Sequence, residues 1–328
     1  MGAYDAELTR VAAEARAALI RQIDREGSWR TDPVWRETFA EVPRHLFVPY
    51  YYVGVVGVVG GYERHAADDL DPAGRERWAR GAYADAPLAT RLHDGELVSS
   101  SSQPSLMARM LVALGVRDGD RVLEVGTGTG YNAALLAHRL GDDSLVTTVD
   151  MEPEITEPAR RHLAGAGYHP VVVTGDGAHG VPAHAPYDRI MATCMLPTVP
   201  RPWIAQCAPG ARIIAPLNNG LLALDVDGSG RAEGRFLPTG AYFVPLRGES
   251  RAPAEPVSTR GLPGRARDQE SFRFLLGLLR GALEPTRAYA LWESVGMPDR
   301  DRYGVTVSGP RAWAWLDDPE GRHAWPLP

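Results

Sequence analysis

Short apolar runs alternate with amphipathic stretches between residues 103 and 217, a pattern typical of an α/β fold. The apolar runs lack a period of two, so they predict parallel strands that are buried on both faces. The predicted strands cover residues 122–125, 145–149, 171–174, 187–194 and 212–217. The predicted helices cover residues 105–114, a segment that begins at Tyr131, 154–165 and 199–208. The pattern therefore predicts a doubly wound, mostly parallel, Rossmann-like sheet.

Helices are also predicted before this core. Residues 6–26 place apolar side chains at helical spacing and predict an amphipathic helix. A second helix is predicted over residues 33–40, where Pro33 would occupy the first helical turn, a position at which proline is well tolerated. The segment 53–80 mixes glycines with charged residues, which predicts an insertion with at most short helices.

Glycine after asparagine or aspartate marks two predicted turns beyond the core strands. The two pairs are Asn219-Gly220 and Asp227-Gly228. Such pairs favour tight hairpins, so antiparallel strands are expected to extend the sheet.

The chain divides into four expected parts. These are an N-terminal helical region with the insertion (1–98), a core (99–246), a linker (247–268) and a small α+β C-terminal module (269–328). The linker is assigned because it lacks periodicity and is rich in Pro, Arg and Gly. The predicted elements of the module are helices at 271–283 and 288–295 and a hairpin at 303–316.

Composition narrows the function classes. A net charge of -6 argues against a general nucleic-acid binder, which usually carries a basic face. No apolar run approaches the length of a membrane span, and the charged N-terminal segment does not have the pattern of a secretory signal. Cys194 and Cys207 are far apart and show no metal-type clustering, which is typical of a protein in a reducing cytoplasm. We therefore expect a cytoplasmic protein that binds no nucleic acid, membrane or metal.

The segment 121–130 predicts a buried strand that ends in a glycine turn and opens a helix. Gly126, Gly128 and Gly130 follow the pattern Gly-x-Gly-x-Gly, and the next residue is the bulky Tyr131. A dinucleotide fingerprint requires Gly-x-Gly-x-x-Gly, so this spacing disfavours a pyrophosphate. Taken alone, the loop could also be an ordinary strand-to-helix turn.

Three consecutive strand ends each carry one acid, and ligands of open α/β sheets bind at that edge. The acids are Glu124, Asp150 and Asp176. Carboxylates suit a cofactor with a cationic or amine-bearing end, such as S-adenosylmethionine, and Asp150 lies near the ~20-residue offset at which an acid meets ribose hydroxyls. The predicted cofactor-binding residues are Glu124, Gly126, Thr127, Gly128, Gly130, Asp150, Met151, Asp176 and Gly177.

Further motifs occur in a fixed order around the glycine strand. They are Val42-Pro43-Arg44, Phe47-Val48-Pro49, Tyr83-x-Asp85-x-Pro87-Leu88, Ser102-Gln103-Pro104, Gly175-Asp176-Gly177 and Pro186-Tyr187-Asp188-Arg189-Ile190. As an ordered set over about residues 40–220, they resemble the protein L-isoaspartyl O-methyltransferase family.

The resemblance implies a class I methyltransferase fold, S-adenosylmethionine as methyl donor and a carboxylate of a peptide or protein as acceptor. It assigns the active-site serine to Ser102, within a substrate loop that also contains Ser100, Ser101, Gln103 and Pro104. An acceptor carboxylate is already ionised at pH 7, so the site needs alignment more than a general base. The Ser102 hydroxyl can donate a hydrogen bond to that carboxylate, or it can cap the following helix.

Three departures from the family distinguish this chain. Ser100 and Ser101 replace the family's Thr and Ile, residues 53–80 separate two motifs, and a C-terminal module is added. They lead to the hypothesis of a specialised enzyme that methylates Asp in a ribosomally made, modified peptide such as a lanthipeptide or graspetide, with closure of the ester to an aspartimide. General repair of L-isoaspartate is the alternative. A small-molecule methyltransferase and a non-catalytic cofactor-binding scaffold remain further alternatives.

Overall fold

The computed structural model describes residues 3–55, 61–248 and 257–327, and the chain separates into two compact units. The first unit contains Met1–Asp120 and Thr127–Gly175, and the second contains Arg121–Gly126 and Asp176–Pro328. Parts of the predicted insertion and linker lie outside the described residues. Among the helices that the structure describes, none is long and apolar enough to cross a membrane.

Helices and strands of the first unit are numbered along the whole chain. The helices are α1 (Ala3–Glu26), α2 (Val34–Glu41), α3 (Pro72–Gly81), α4 (Pro104–Leu114), α5 (Tyr131–Leu140) and α6 (Pro153–Gly165). The strands are β1 (Tyr50–Gly54), β2 (Tyr62–Ala66), β3 (Leu88–His93), β4 (Glu96–Ser101), β6 (Val146–Asp150) and β7 (Val171–Thr174). Helices α1, α2, α4, α5 and α6 confirm the helices predicted for these positions.

The predicted insertion forms part of a small antiparallel sheet. Within the described ranges its strand order is β2-β1-β3-β4. The prediction of at most short helices for 53–80 is therefore wrong, because this segment supplies β2 and the ten-residue α3. Strand β2 was not predicted since only Ala66 is buried in it, which leaves no alternation of apolar and polar residues.

Helix α3 packs into the core of the first unit. The Asp71 side chain accepts a hydrogen bond from the backbone N–H of Ala73 and caps the helix, and Pro72 opens its first turn. The buried Trp78 donates from Nε1 to the carbonyl oxygen of Val48 at 2.8 Å. The apolar cluster around it consists of Val11, Val48, Tyr51, Trp78, Ala79 and Leu88. The inserted segment is thus built into a core.

Strands β3 and β4 form a hairpin that leads into α4. Asp94 and Gly95 form its two-residue turn, and both have a positive φ, as a type I′ turn requires. The predicted substrate loop is therefore the end of strand β4 together with the connection to α4.

The parallel pair β6-β7 carries the predicted strands at 145–149 and 171–174 and confirms both. Asp150 is the last residue of β6, and its backbone carbonyl accepts a hydrogen bond from Gly175 N–H at 2.9 Å. Gly130 is the N-cap of α5 with φ +87°, a conformation that glycine adopts without strain.

The second unit is dominated by one mixed sheet. Its strands are β5 (Val122–Val125), β8 (Tyr187–Ala192), β9 (Cys207–Leu217), β10 (Gly220–Val226), β11 (Ala232–Gly240), β12 (Tyr303–Ser308), β13 (Arg311–Leu316) and β14 (Ala324–Pro326). Its helices are α7 (Arg201–Ala205), α8 (Gly264–Asp268), α9 (Glu270–Leu278) and α10 (Pro285–Ser294). Strands β5, β8 and β9 are parallel, and the pairs from β9 through β14 are antiparallel.

Two predictions in this unit are corrected by one or a few residues. The helix predicted at 199–208 is the shorter α7, because the chain from Cys207 onwards already pairs with β8 and continues as β9. The first hairpin turn consists of Asn218 and Asn219, one residue earlier than predicted, since Leu217 pairs with Gly220. Asn218 has φ +53°, which asparagine tolerates better than most residues.

The C-terminal residues join the same sheet. Strand β12 pairs with β11, and Phe274 of α9 packs edge-on against Phe236 with ring centroids 4.8 Å apart. The predicted helices and hairpin are confirmed by α9, α10 and the β12-β13 pair. Trp315 is buried and donates to the Thr306 hydroxyl at 3.0 Å, which is a core role. The division of the chain at residues 98, 246 and 268 stays a prediction.

Candidate active site

The predicted substrate loop links β4 to α4 in the first unit. Ser101 is buried, whereas Ser100 and Ser102 are partly exposed. The N-cap of α4 is Gln103, followed by Pro104 in the first turn, so Ser102 does not cap this helix. Among the described residues its hydroxyl forms no hydrogen bond. This leaves the hydroxyl available to donate to a ligand.

Asp85 supplies the hydrogen bonds that a capping side chain would make. One carboxylate oxygen accepts from the Ser105 N–H at 2.8 Å, and the other accepts from Gln103 Nε2 at 3.2 Å and Gln22 Nε2 at 3.3 Å. An acid near a helix N-terminus is also favoured by the helix dipole. Asp85 therefore holds the start of α4 and the C-terminal side of the substrate loop.

Arg44 holds the other side of this loop. Its guanidinium is fully buried and donates to the carbonyl oxygens of Ser101 at 3.2 Å and Ser102 at 3.0 Å. Its further acceptors are the Ser101 hydroxyl and the carbonyl oxygens of Ala82, Ala84 and Ala86. Burial lowers the pKa of Arg44 to about 10, so the group remains a cation at pH 7.

The glycine loop is tied to the end of β6 within the first unit. The Asp150 carboxylate accepts from the backbone N–H groups of Gly128 at 3.1 Å and Met151 at 2.9 Å. The Thr127 and Thr148 hydroxyls are buried and hydrogen-bonded to each other at 2.8 Å. The structure thus brings Thr127, Gly128, Asp150 and Met151 together, as the cofactor prediction requires.

The glycine loop and the substrate loop lie side by side. Gly128 has φ +52°, and a Cβ placed on it would lie 3.5 Å from the carbonyl oxygen of Ser100. A larger side chain at this position would therefore project between the two loops. Gly130 approaches Leu163 of α6 more closely, since its Cβ would lie 3.1 Å from Leu163 Cγ.

The sequence did not reveal an ion pair that joins β3 to the start of α6. Arg91 of β3, opposite Ser99 in the sheet register, has its Nη1 3.1 Å from the Glu152 carboxylate at the start of α6. Both side chains are about one-third exposed, so their attraction is partly screened by water. Arg91 was missed because one arginine in a polar strand carries no pattern.

Four predicted cofactor residues belong to the second unit. Glu124 is fully buried in β5, and Gly126 follows it with φ +103°. A Cβ on Gly126 would lie 2.5 Å from Thr193 Oγ1, a hydroxyl that donates to the Gly126 carbonyl at 2.7 Å. The position therefore requires glycine for both its conformation and its space.

Asp176 and Gly177 begin a short 3-10 helix in this unit. The Asp176 side chain caps it by accepting from the Ala178 N–H at 2.8 Å. A Cβ on Gly177 would lie 2.5 Å from Val125 Cγ1, so only glycine fits against β5. The Gly177 carbonyl accepts from Trp203 Nε1 at 2.8 Å.

A segment near residue 245, which the sequence did not single out, runs along the end of β8. Met195 N–H donates to the Val244 carbonyl, and Leu246 N–H donates to the Met195 carbonyl, both at 2.8 Å. Leu246 Cδ1 would lie 3.5 Å from a Cβ on Gly177. The apolar run Val244-Pro245-Leu246 was the available signal for this strand-like pairing.

The two cysteines lack the features of a catalytic thiol. Cys194 is buried, and burial raises the pKa of the Cys207 thiol to about 12, with Asp188 adding to the rise. The nucleophilic form of cysteine is the thiolate, which Cys207 scarcely populates at pH 7. In the part of the chain that the structure describes, His, Cys, Asp and Glu form no group suited to a metal ion.

Known proteins resemble this chain in both sequence and fold. The model of the family described as protein-L-isoaspartate(D-aspartate) O-methyltransferase (PCMT) matches residues 62–249. A relative from Aeropyrum pernix, named protein-L-isoaspartate O-methyltransferase, is 36% identical over 242 residues, which are 72% of this chain and 80% of the relative.

Solved structures extend the likeness along the chain. One named protein-L-isoaspartate O-methyltransferase superposes with a TM-score of 0.64 and 22% identity, and covers 92% of this chain and 100% of its own. Another, a beta-aspartate methyltransferase from Plasmodium falciparum in complex with S-adenosyl-L-homocysteine, has a TM-score of 0.51 and 14% identity, and covers 70% of this chain and 97% of its own. These structures confirm the predicted class I methyltransferase α/β fold.

Proposed function

The chain belongs to the protein-L-isoaspartate(D-aspartate) O-methyltransferase family, and we propose that it is a general repair methyltransferase for isoaspartyl residues in proteins. It is a protein carboxyl O-methyltransferase, and its methyl donor is S-adenosylmethionine. The finer assignment to repair is supported by relatives that are named for L-isoaspartate as substrate.

The specialised role predicted from the sequence has less support than its alternative. One argument for it was the C-terminal module, yet a solved protein-L-isoaspartate O-methyltransferase covers 92% of this chain and so must match much of that module. The insertion, a further departure from the family, forms β2 and the core helix α3. Only the serine substitutions in the substrate loop remain, and they are a weak reason to invoke a modified peptide.

The predicted cofactor residues fit S-adenosylmethionine. The glycine loop carries no side chain at its three glycines, and the Asp150 carboxylate stands at the end of β6, where an acid can accept from ribose hydroxyls. When bound, the cofactor supplies an electrophilic methyl group.

The observation that carries the proposal is the contact between the glycine loop and the substrate loop, at Gly128 and Ser100. Ser102 follows Ser100 by two residues in this loop, and its hydroxyl has a proton to donate. A hydrogen bond from Ser102 would orient an acceptor carboxylate, which is already ionised and needs no base. After esterification, the neighbouring backbone nitrogen of the substrate attacks the ester carbonyl, methanol leaves and a succinimide forms.

An assay with three substrates tests this function. The enzyme is incubated with S-adenosylmethionine and an isoaspartyl peptide, the matching aspartyl peptide or a modified precursor peptide, and mass gain of one methyl group is followed. We expect methylation of the isoaspartyl peptide and later loss of methanol. Ser102→Ala should lower kcat by about 10- to 100-fold, because it removes an orienting hydrogen bond, whereas Ser229→Ala in an exposed turn should not.

Methylation of the precursor peptide alone would instead establish the specialised role. Methylation of none of the three would refute a peptide carboxylate as acceptor. Unchanged turnover of Ser102→Ala would refute the role of this serine.

Binding of the cofactor is tested separately by calorimetry. Asp150→Ala is expected to weaken S-adenosylmethionine binding by about 10-fold or more, because a hydrogen bond to a charged group is lost. Asp142→Ala is the matched control, since Asp142 also caps a backbone N–H in the first unit but is exposed and accepts from Ser144 rather than from the glycine loop. Native affinity of Asp150→Ala would contradict the assigned ribose site.

A further inference from the structure

Arg44 touches the substrate loop on both sides of the Cα atom of Ser102. Its Nη2 nitrogen donates to the Ser101 carbonyl at 3.2 Å and to the Ser102 carbonyl at 3.0 Å. These two carbonyls belong to the peptide planes immediately before and after Ser102. Since two flanking peptide planes determine φ and ψ of the residue between them, the guanidinium fixes the direction of the Ser102 Cα–Cβ bond.

The same guanidinium is anchored to a second stretch of backbone. Nη1 donates to the carbonyls of Ala82 and Ala84 at 3.0 Å each, and Nη2 also lies 3.4 Å from the Ala86 carbonyl. Alternate residues of this stretch therefore face Arg44. Asp85, which lies between two of them, holds Gln103 and the Ser105 N–H from the other side of the loop.

We propose that Arg44 is a positioning residue for methyl transfer: with Asp85 it clamps residues 101–105 so that the Ser102 hydroxyl is held ready for the acceptor carboxylate. This inference rests on the proposed function for the chemistry of Ser102, whereas the clamp itself rests on the contacts of Arg44. Arg44 acts through the backbone of the loop and needs no contact with substrate.

The chemistry of the guanidinium explains why arginine occupies this position. A planar fork with five N–H groups can reach carbonyls in two separate segments, and burial strengthens each charged hydrogen bond. A lysine ammonium has three donors on one nitrogen and cannot span both segments. Arg44→Lys therefore keeps the charge and much of the side-chain length but breaks the bridge.

The test compares Arg44→Lys with Arg109→Lys, a matched substitution of an arginine in α4 that contacts Ser28 and Glu26. The readouts are kcat and KM for an isoaspartyl peptide, Kd for S-adenosylmethionine, and amide hydrogen exchange across the whole chain. For Arg44→Lys we expect kcat to fall by about 10- to 100-fold, with Kd for the cofactor within about twofold. Exchange should accelerate in residues 101–105 and stay unchanged in α5 and β6. Arg109→Lys should change none of these.

Two results would overturn the proposal. One is native kcat with native protection of residues 101–105 in Arg44→Lys. The other is loss of protection throughout the β1–β4 sheet and α4, which would show that Arg44 only supports the fold. If Arg44→Lys does not fold, Asp85→Ala carries the same test, since alanine has no acceptor and should release Gln103 and Ser105 and accelerate exchange at both residues.

Failure of the proposed function would look different. If the wild-type enzyme methylates no isoaspartyl peptide, the proposed repair function is refuted. The exchange of residues 101–105 in Arg44→Lys still tests whether Arg44 clamps the loop. If exchange of residues 101–105 does not accelerate in Arg44→Lys, the clamp is excluded, whatever the substrate is.

Discussion

His45, the neighbour of Arg44, is held neutral inside the first unit. Its Nδ1 is 2.7 Å from the Tyr83 hydroxyl, and its ring meets Trp78 edge-on at 6.0 Å. Burial lowers the pKa of His45 to about 4, and the nearby Arg16 contributes to this shift. The imidazole therefore stays uncharged in the folded protein at pH values where an exposed histidine takes up a proton.

Stability should fall in mildly acidic solution for this reason. Between about pH 6.5 and 4 the unfolded chain protonates His45 while the folded chain does not, so folding loses free energy as the pH falls. At pH 5 the loss from this residue is at most about 2 kcal/mol. Denaturant unfolding of wild type and His45→Asn at pH 7.5 and 5 measures it. Asn keeps a polar contact for Tyr83 but does not titrate, so a pH dependence equal to that of wild type would contradict the prediction.

Arg44 and Asp85 were visible in the sequence only as members of motifs. Their roles were not predictable, because Arg44 binds mostly main-chain carbonyls and Asp85 binds a main-chain N–H, groups that almost every residue carries. By contrast, the acids at 124 and 150 were predicted from their place at the ends of apolar strands. A strand end can be inferred from pattern, but the partners of a buried arginine cannot.

At the scale of elements, burial decided which strands were predictable. Strands β5 and β6 are buried on both faces, and each carries valines on either side of its internal polar residues, so both stand out as short apolar segments. Strand β4 ends in serines, and Ala66 is the one buried residue of β2, so neither strand carries a continuous apolar signal. Strand β9 begins at Cys207 although Pro209 and Gly210 disfavour a strand, because pairing with β8 outweighs local preference.

The close approach of β11 to its neighbour β10 requires a residue without a side chain at Gly234. A Cβ on Gly234 would overlap the carbonyl oxygen of Ala223 in the neighbouring strand. Gly234→Ala is therefore expected to lower the free energy of unfolding by about 2 kcal/mol or more, because the backbone must move. Chemical denaturation measures this change.

Gly165 is the control for that experiment. It ends α6, and a Cβ placed on it would have open space around it, with no neighbouring group within 4 Å. Gly165→Ala should be neutral or stabilise the protein by up to about 1 kcal/mol, since alanine favours helix. Equal effects of the two substitutions would show that the close approach of β10 and β11 is not important.

At the scale of the whole molecule, the C-terminal residues complete the sheet of the second unit. Phe274 of α9 contacts both Phe236 of β11 and Tyr303 of β12, and all three rings are buried. The predicted boundary at 268 therefore lies between elements that share a core. A domain boundary usually falls where few contacts cross it.

Truncation after residue 268 tests this boundary. We expect the shortened chain to lose cooperative thermal unfolding, because the edge of β11 and the ring of Phe236 become exposed. A chain truncated after Gly321 is the control, since it lacks only β14 and should still unfold cooperatively. Circular dichroism during heating distinguishes the two. A cooperative transition in the 1–268 chain would establish 269–328 as a separate module.

Strand β14 affects the tendency of the protein to aggregate at high concentration. It closes one edge of the sheet, is only three residues long and ends on Pro326, which has no N–H to offer a further strand. Long, regular edges recruit strands from other molecules, and short edges that contain proline do not. The last residues of the sheet therefore discourage edge-to-edge aggregation, so a protein that carries this strand should remain dispersed where a chain ending at β13 would self-associate.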